Sequence, residues 1–142
     1  MQDEFRPLAA DERAILERLL EVPFNGCDEA REQLDHLMAR QSPGCEEHCG
    51  SLELLADVSA PFIPHEGARE SKIDAEGWAV DDDGIPVEIL LFQKQGRLSY
   101  LEFVVYSDRL KRRPKAWEIE IGSAHEIYRR HKGERSKGRP DG

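Results

Sequence analysis

DDDGIPVEILLFQKQGRLSYLEFVVY, residues 81–106, contains two runs of branched and aromatic residues, 86–92 and 98–106. A short polar segment, Gln93-Lys94-Gln95-Gly96, separates them. The glycine at its end can take the positive φ that a bulged hairpin turn needs. The pattern therefore predicts a buried antiparallel β-hairpin, and the acidic run at residues 81–84 predicts the turn that leads into it.

The hairpin needs a covering layer, and the first 40 residues predict one made of two helices. In residues 10–22, which Pro23 terminates, four apolar side chains share one helix face: Ile15, Leu16, Leu19 and Leu20. A second helix is predicted with Asp28 as its N-cap and Ser42-Pro43-Gly44 after its end. Its apolar side carries Ala30, Leu34, Leu37 and Met38. The two helices would form an αα-hairpin with one apolar side.

Further strands are expected on both sides of the central hairpin. Residues 51–54, residues 72–80 and the alternating segment Trp117-Glu118-Ile119-Glu120-Ile121 are the candidates. The predicted fold is therefore α+β, with the αα-hairpin packed on a four- to five-stranded antiparallel meander in one domain, residues 1–122. Residues 123–142 predict a short helix followed by a basic, disordered tail.

Charge is distributed unevenly along the 142 residues, whose formal net charge is −9. Residues 109–142 contain eleven lysines and arginines and five acidic residues, a net charge of +6, so residues 1–108 carry −15. An acidic body repels phosphate backbones, so no nucleic-acid-binding surface is expected on it. A solvated, self-repelling surface is the simpler interpretation of the same charge, and an acidic face that docks on a basic partner is the alternative.

The sequence predicts a soluble, cytoplasmic protein. No apolar run approaches the roughly 20 residues that cross a bilayer, and the acidic N-terminus lacks the features of a secretory signal. Three cysteines cannot all pair within one chain, which favours reduced thiols. The motifs of P-loop, dinucleotide-binding and nucleophile-elbow enzymes are also missing from the sequence.

Five short motifs occur together between residues 5 and 106: FRPL (5–8), ERAILERLL (12–20), SLEL (51–54), DGIPV (83–87) and GRLSYLE (96–102). With a cysteine-bearing link before the third motif, this combination resembles a group of small bacterial proteins known only as domains of unknown function. The resemblance implies a bacterial source and an α+β meander, and it implies no activity. Some members have a denser Cys-Gly-Cys cluster where this chain has CEEHC, residues 45–49.

The link itself holds the chain's most unusual cluster, Cys45, His48 and Cys49. Thiolates and imidazoles are zinc ligands, and Cys27 would supply a fourth, so a zinc site is one hypothesis. A solvated link with inert cysteines and a Cys45–Cys49 redox pair are others. The enzyme version makes Cys49 a nucleophile, with a histidine as its base: His36, His48, His65 or His125.

A second candidate site lies on the hairpin. Because side chains alternate along a strand, one set is predicted to face away from the helices, toward solvent or a partner: Glu88, Leu90, Phe92, Tyr100, Glu102 and Val104. The four apolar members would form an exposed patch unless the C-terminal segment or another subunit covers it. The leading hypothesis is a non-enzymatic protein-interaction module, for example an immunity- or inhibitor-type protein that covers a basic enzyme with carboxylates. Self-association as a homodimer through this face stays open. The alternative function is a zinc- or thiol-dependent site at the cysteine cluster.

Overall fold

A broad antiparallel sheet carries the fold. The computed structural model describes residues 4–43, 50–107 and 110–122, and within these ranges it contains two α-helices and seven strands. The helices are α1 (Ala10–Leu19) and α2 (Cys27–Gln33), with 3₁₀ turns at Leu34–His36 and Ala116–Glu118. The strands are β1 (Arg6–Pro7), β2 (Leu37–Gln41), β3 (Leu52–Ala56), β4 (Ser71–Val80), β5 (Pro86–Lys94), β6 (Arg97–Val105) and β7 (Glu120–Ile121).

The strand order is β1-β2-β3-β6-β5-β4-β7, and every neighbouring pair is antiparallel. Strands β4, β5 and β6 form a meander, in which Val87 pairs with Val105 at one end of the hairpin and Lys94 with Arg97 at the other. Strand β3 pairs with β6. The segment between β3 and β4 therefore crosses from one side of the hairpin to the other.

The α+β class agrees with the sequence prediction, but the helical layer and the strand count differ in detail. Helix α2 ends at Gln33, and Leu37 and Met38, predicted to be helical, lie in β2. There Leu37 and Ala39 are buried and Met38 is exposed, which is the two-residue period of a strand. A short apolar run fits both the helical period of 3.6 residues and the two-residue period of a strand, which is why the prediction of a helix here is wrong. With β1 and β2 added, the sheet exceeds the predicted four or five strands.

Two predicted boundaries are also wrong in position. The N-cap of α2 is Gly26, in the left-handed region with φ 97°, and Asp28 lies in the first turn. At the other end of the chain, Trp117 lies in a 3₁₀ turn, and the edge strand is limited to Glu120–Ile121. The backbone N–H of Lys115 donates to Glu118 Oε1 at 2.7 Å and closes that turn. The C-terminal helix and tail predicted at 123–142 lie outside the described residues.

The core lies between the helices and one face of the sheet. Apolar residues of α1 and α2 pack there with the inward-facing residues of the strands. The largest fully buried side chains are Phe103, Ile15, Leu16, Leu19, Leu20, Leu52, Ile63, Ile89, Leu91, Leu98, Leu101 and Ile119. Since Ile63 and Ile119 belong to connecting segments, these segments also pack on the helical side. The other face, which we call the outer face, is left to the alternate side chains of the strands.

At Gly77, β4 lies close to α1 and to the segment before β7. A Cβ at this position would lie 2.5 Å from Ile119 Cγ2 and 3.0 Å from Leu19 Cδ2. We expect Gly77→Ala to lower the free energy of unfolding by about 1–2 kcal/mol, because the added methyl overpacks this contact. Urea denaturation measures the change. Asp74→Ala, at an exposed position of the same strand, should stay within about 0.5 kcal/mol; equal effects of the two substitutions would contradict the steric argument.

Candidate functional site

The centre of the outer face is apolar. Phe92 of β5 lies directly opposite Tyr100 of β6, with ring centroids 6.3 Å apart and an edge-on angle of 67°. Such an arrangement is favourable for two aromatic rings. Leu90 and Val104 lie on the same face, one and two rows further along the hairpin. All four side chains are half-buried, so they form one packed apolar strip rather than separate exposed residues.

Carboxylates surround this apolar strip. Strand register places Glu53 beside Tyr100. Leu90 lies between Glu102 on one side and Glu76 on the other. Glu88 lies beside Val104. Trp78 of β4 pairs with Glu88 on one side and with Glu120 of β7 on the other. The outer face therefore combines an apolar strip, formed by Leu90, Phe92, Tyr100 and Val104, with five glutamates drawn from five strands.

Two cations on this face pair with two of the glutamates. Arg40 Nη2 lies 3.0 Å from Glu53 Oε2, and Lys72 Nζ lies 3.3 Å from Glu76 Oε2. The half-buried Glu102 has no hydrogen-bond or ion-pair partner among the residues that the structure describes. Since no cation in the described part of the chain pairs with this central carboxylate, the middle of the face carries negative charge there.

Tyrosine hydroxyls fix parts of this face. Tyr100 donates to Ser42 Oγ at 2.8 Å, which anchors its ring at the end of β2. Tyr106 donates to Glu88 Oε1 at 2.7 Å, and this hydrogen bond to a carboxylate raises the pKa of Tyr106 above its ordinary value. The first contact holds the Tyr100 ring, and the second holds the Tyr106 ring and the Glu88 carboxylate, so these parts of the face are preorganised for binding.

The face extends toward the N-terminal edge of the sheet. The guanidinium carbon of Arg40 lies 4.3 Å from the centroid of the Phe5 ring, and next to this contact Met38 pairs with Leu55. Met38 and Leu55 are exposed large apolar residues. Apolar contact area therefore continues past the acidic residues at this end of the sheet.

All six residues predicted from the sequence to face outward lie together on this face: Glu88, Leu90, Phe92, Tyr100, Glu102 and Val104. Sequence reasoning missed Glu53, Glu76 and Glu120. Each of these glutamates alternates with apolar residues along its own strand, and this alternation indicates that its side chain faces away from the core. The order of the strands in the sheet, however, depends on the segment after β3 that crosses the hairpin. A local sequence pattern does not predict that order.

Of the four residues predicted to form a zinc site, the structure describes only Cys27. This residue is buried, and its thiol donates to the carbonyl oxygens of Leu20 and Val22 at 3.3 and 3.4 Å. Cys45, His48 and Cys49 lie outside the described residues, so the zinc and thiol sites stay predictions. In ranges 4–43, 50–107 and 110–122, no group of three or more histidines, cysteines and carboxylates is arranged to hold a metal ion.

Comparisons with known proteins give no relative. No protein-family model matches the chain, and neither a curated protein nor a solved structure matches it. The resemblance to domains of unknown function therefore stays a prediction. Neither helix in the described part of the chain has the length and apolarity needed to span a bilayer.

Proposed function

We propose that the chain is a non-enzymatic protein-interaction module whose outer face binds a basic protein. The observation that carries this proposal is Glu102, which is half-buried in the middle of an apolar strip and a set of glutamates and has no partner among the described residues. A positively charged side chain of a partner would pair with Glu102, while an apolar anchor packs against Phe92 and Tyr100. Charge directs the encounter and apolar contact supplies most of the affinity.

The dimensions of the face suit such a contact. Each strand residue covers about 3.3 Å by 4.8 Å of sheet, and the five strands β3, β6, β5, β4 and β7 contain 35 residues. The resulting area of about 600 Å² approaches the roughly 800 Å² that each partner contributes to a typical stable complex. The edge with Met38, Leu55 and Phe5 would enlarge it.

Charge favours a different protein over a second copy as the partner. In a two-fold symmetric dimer the same surface patch meets itself, so the glutamates of one chain would lie against those of the other. Like charges brought together in this way oppose association. A basic partner, such as the enzyme target of an immunity- or inhibitor-type protein, meets the same surface with opposite charge. The bacterial cytoplasm remains the expected setting of this proposal.

Affinity capture with matched variants tests the proposal. Wild-type chain, Phe92→Ser, Glu102→Lys and the control Glu32→Lys serve as baits in a lysate of the source organism at low salt. Glu32→Lys makes the same charge change at an exposed position of α2, on the opposite side of the sheet. A captured protein is then purified, and its dissociation constant is measured against each bait.

We expect a basic protein whose binding weakens by about tenfold or more with Phe92→Ser and with Glu102→Lys. Glu32→Lys should stay within about twofold, and binding should weaken as salt is raised because exposed charges are screened. A partner that binds all four baits equally, or one that is acidic, would contradict the assignment of the outer face. Dimers of the wild-type chain that dissociate with Phe92→Ser would replace the basic partner with self-association.

A further inference from the structure

A groove separates the loop after Pro61 from the turn of the β5–β6 hairpin. It has a volume of about 390 Å³ and is lined in part by Phe62, His65, Ala68 and Arg97. This volume lies within the range of pockets that bind small organic molecules, roughly 300–1,000 Å³. The groove lies at the end of the hairpin and uses none of the carboxylates of the outer face.

The two walls of the groove are joined by one backbone hydrogen bond and by the side chain of Gln33. The N–H of Ile63 donates to the carbonyl oxygen of Gly96 at 2.8 Å. The buried Gln33 side chain donates to Pro61 O and to Gly96 O, each at 2.8 Å. These bonds fix the spacing between loop and turn, so the groove is formed before any ligand arrives.

Arg97 is the cation of the groove, and stacking rather than a carboxylate holds it there. Its guanidinium carbon lies 4.9 Å from the centroid of the Phe62 ring. Its Nε is buried without a hydrogen-bond partner, and across the described ranges the side chain forms no hydrogen bond or ion pair. The pKa of Asp57 is lowered mainly by hydrogen bonds that its Oδ1 accepts from the backbone N–H and hydroxyl of Ser59, and to a smaller extent by the charge of Arg97. Asp57 forms no ion pair with Arg97. The guanidinium is therefore positioned without an anionic partner from the described residues.

We propose that this groove binds a small organic carboxylate. The guanidinium of Arg97 would take the carboxylate in a paired, charge-assisted contact. The apolar body of the ligand would lie against the ring of Phe62, a residue that is 53% exposed, and against Ala68. A singly charged anion is favoured over a phosphate monoester, because the latter carries about −1.5 to −2 charge and the body of the chain is strongly acidic.

NMR titration of the full chain with benzoate tests the proposal, with benzamide as a neutral probe of nearly the same shape and phenyl phosphate as a dianionic one. Benzoate should shift the backbone amide signals of Phe62, His65 and Arg97 in a saturable way. Binding of benzamide should be at least about tenfold weaker, since the charge-assisted contact is lost. Each titration is made at constant ionic strength with sodium chloride.

Variants separate the groove from general charge effects. Arg97→Gln should weaken benzoate binding at least about tenfold, and Phe62→Ala should weaken it as well. Lys94→Gln removes an exposed cation from the same hairpin, outside the groove lining, and should change the affinity less than about twofold. Equal binding of benzoate and benzamide, unchanged affinity in Arg97→Gln, or tighter binding of phenyl phosphate than of benzoate would overturn the assignment.

Discussion

Replacing Glu12 with glutamine is expected to lower the free energy of unfolding by about 2–3 kcal/mol at pH 7, as charge-assisted hydrogen bonds are lost. The Glu12 side chain is 1% exposed and joins three segments of the chain. Arg6 of β1 donates to both of its carboxylate oxygens at 2.7 and 2.8 Å, and Arg113 donates to Oε2 at 3.2 Å. The backbone N–H of Ala9 donates to Oε1 at 2.8 Å, so the same carboxylate also caps α1. A neutral amide keeps the shape and loses the charge that these donors require.

The effect of Glu12→Gln should depend on pH. Burial by itself would raise the pKa of Glu12, but the hydrogen bonds from Arg6 and Ala9 and the charges of Arg6 and Arg113 outweigh it and hold the pKa below its ordinary value of 4.5. A carboxyl whose pKa is lower in the folded state stabilises the fold above its unfolded pKa, and this contribution is lost as the pH falls through the folded pKa. The difference between wild type and variant should therefore shrink below pH 4.5.

Urea denaturation at pH 7, 5 and 3 measures this dependence. Glu17→Gln is the matched control, because Glu17 lies on the same helix, is exposed and meets Arg13 at 3.4 Å. An exposed pair of this kind contributes little, so the control should stay within about 0.5 kcal/mol at each pH. A difference for Glu12→Gln that persists unchanged at pH 3 would show that packing, and not charge, sets the effect.

The faces of the central hairpin were readable from sequence because a strand has a fixed two-residue period. Val87, Ile89 and Leu91 point inward and Leu90 and Phe92 outward for this local steric reason. The helical layer was less readable: the apolar spacing after Ala30 fits a helix as well as a helix followed by a strand. The choice of β2 depends on its pairing with β3, which is a contact between distant parts of the chain.

The residues of the outer face likewise divide into those that local alternation predicts and those that pairing between distant strands brings in. Tyr100 and Glu102 could be assigned to it because they lie in the hairpin itself. Glu53 and Glu76 come to it through the pairing of β3 with β6 and of β4 with β5. Arg97 and Phe62 are 35 positions apart in the sequence, and only the packing of the loop against the hairpin turn brings them together.

Replacing Gln33 with leucine is expected to lower the free energy of unfolding by about 2–4 kcal/mol, since it removes three hydrogen bonds, two of them buried and one part-buried. The side chain of Gln33 is fully buried. Its Oε1 accepts from the backbone N–H of Leu98 at 2.8 Å, and its Nε2 donates to Pro61 O and Gly96 O. In the variant Gly96 O still accepts from the N–H of Ile63. The N–H of Leu98 loses the acceptor that Gln33 supplies, and this accounts for most of the expected cost.

Hydrogen exchange separates this effect from lost packing. The amide of Leu98 should exchange much faster in Gln33→Leu, while amides in the middle of the hairpin change only as global stability changes. Glu32→Gln, at the exposed neighbouring position of α2, should leave both stability and the Leu98 exchange rate nearly unchanged. Unchanged protection of Leu98 in the leucine variant would mean that another acceptor replaces Gln33 Oε1. Gln33 would then not be what holds the hairpin turn against the loop beside it.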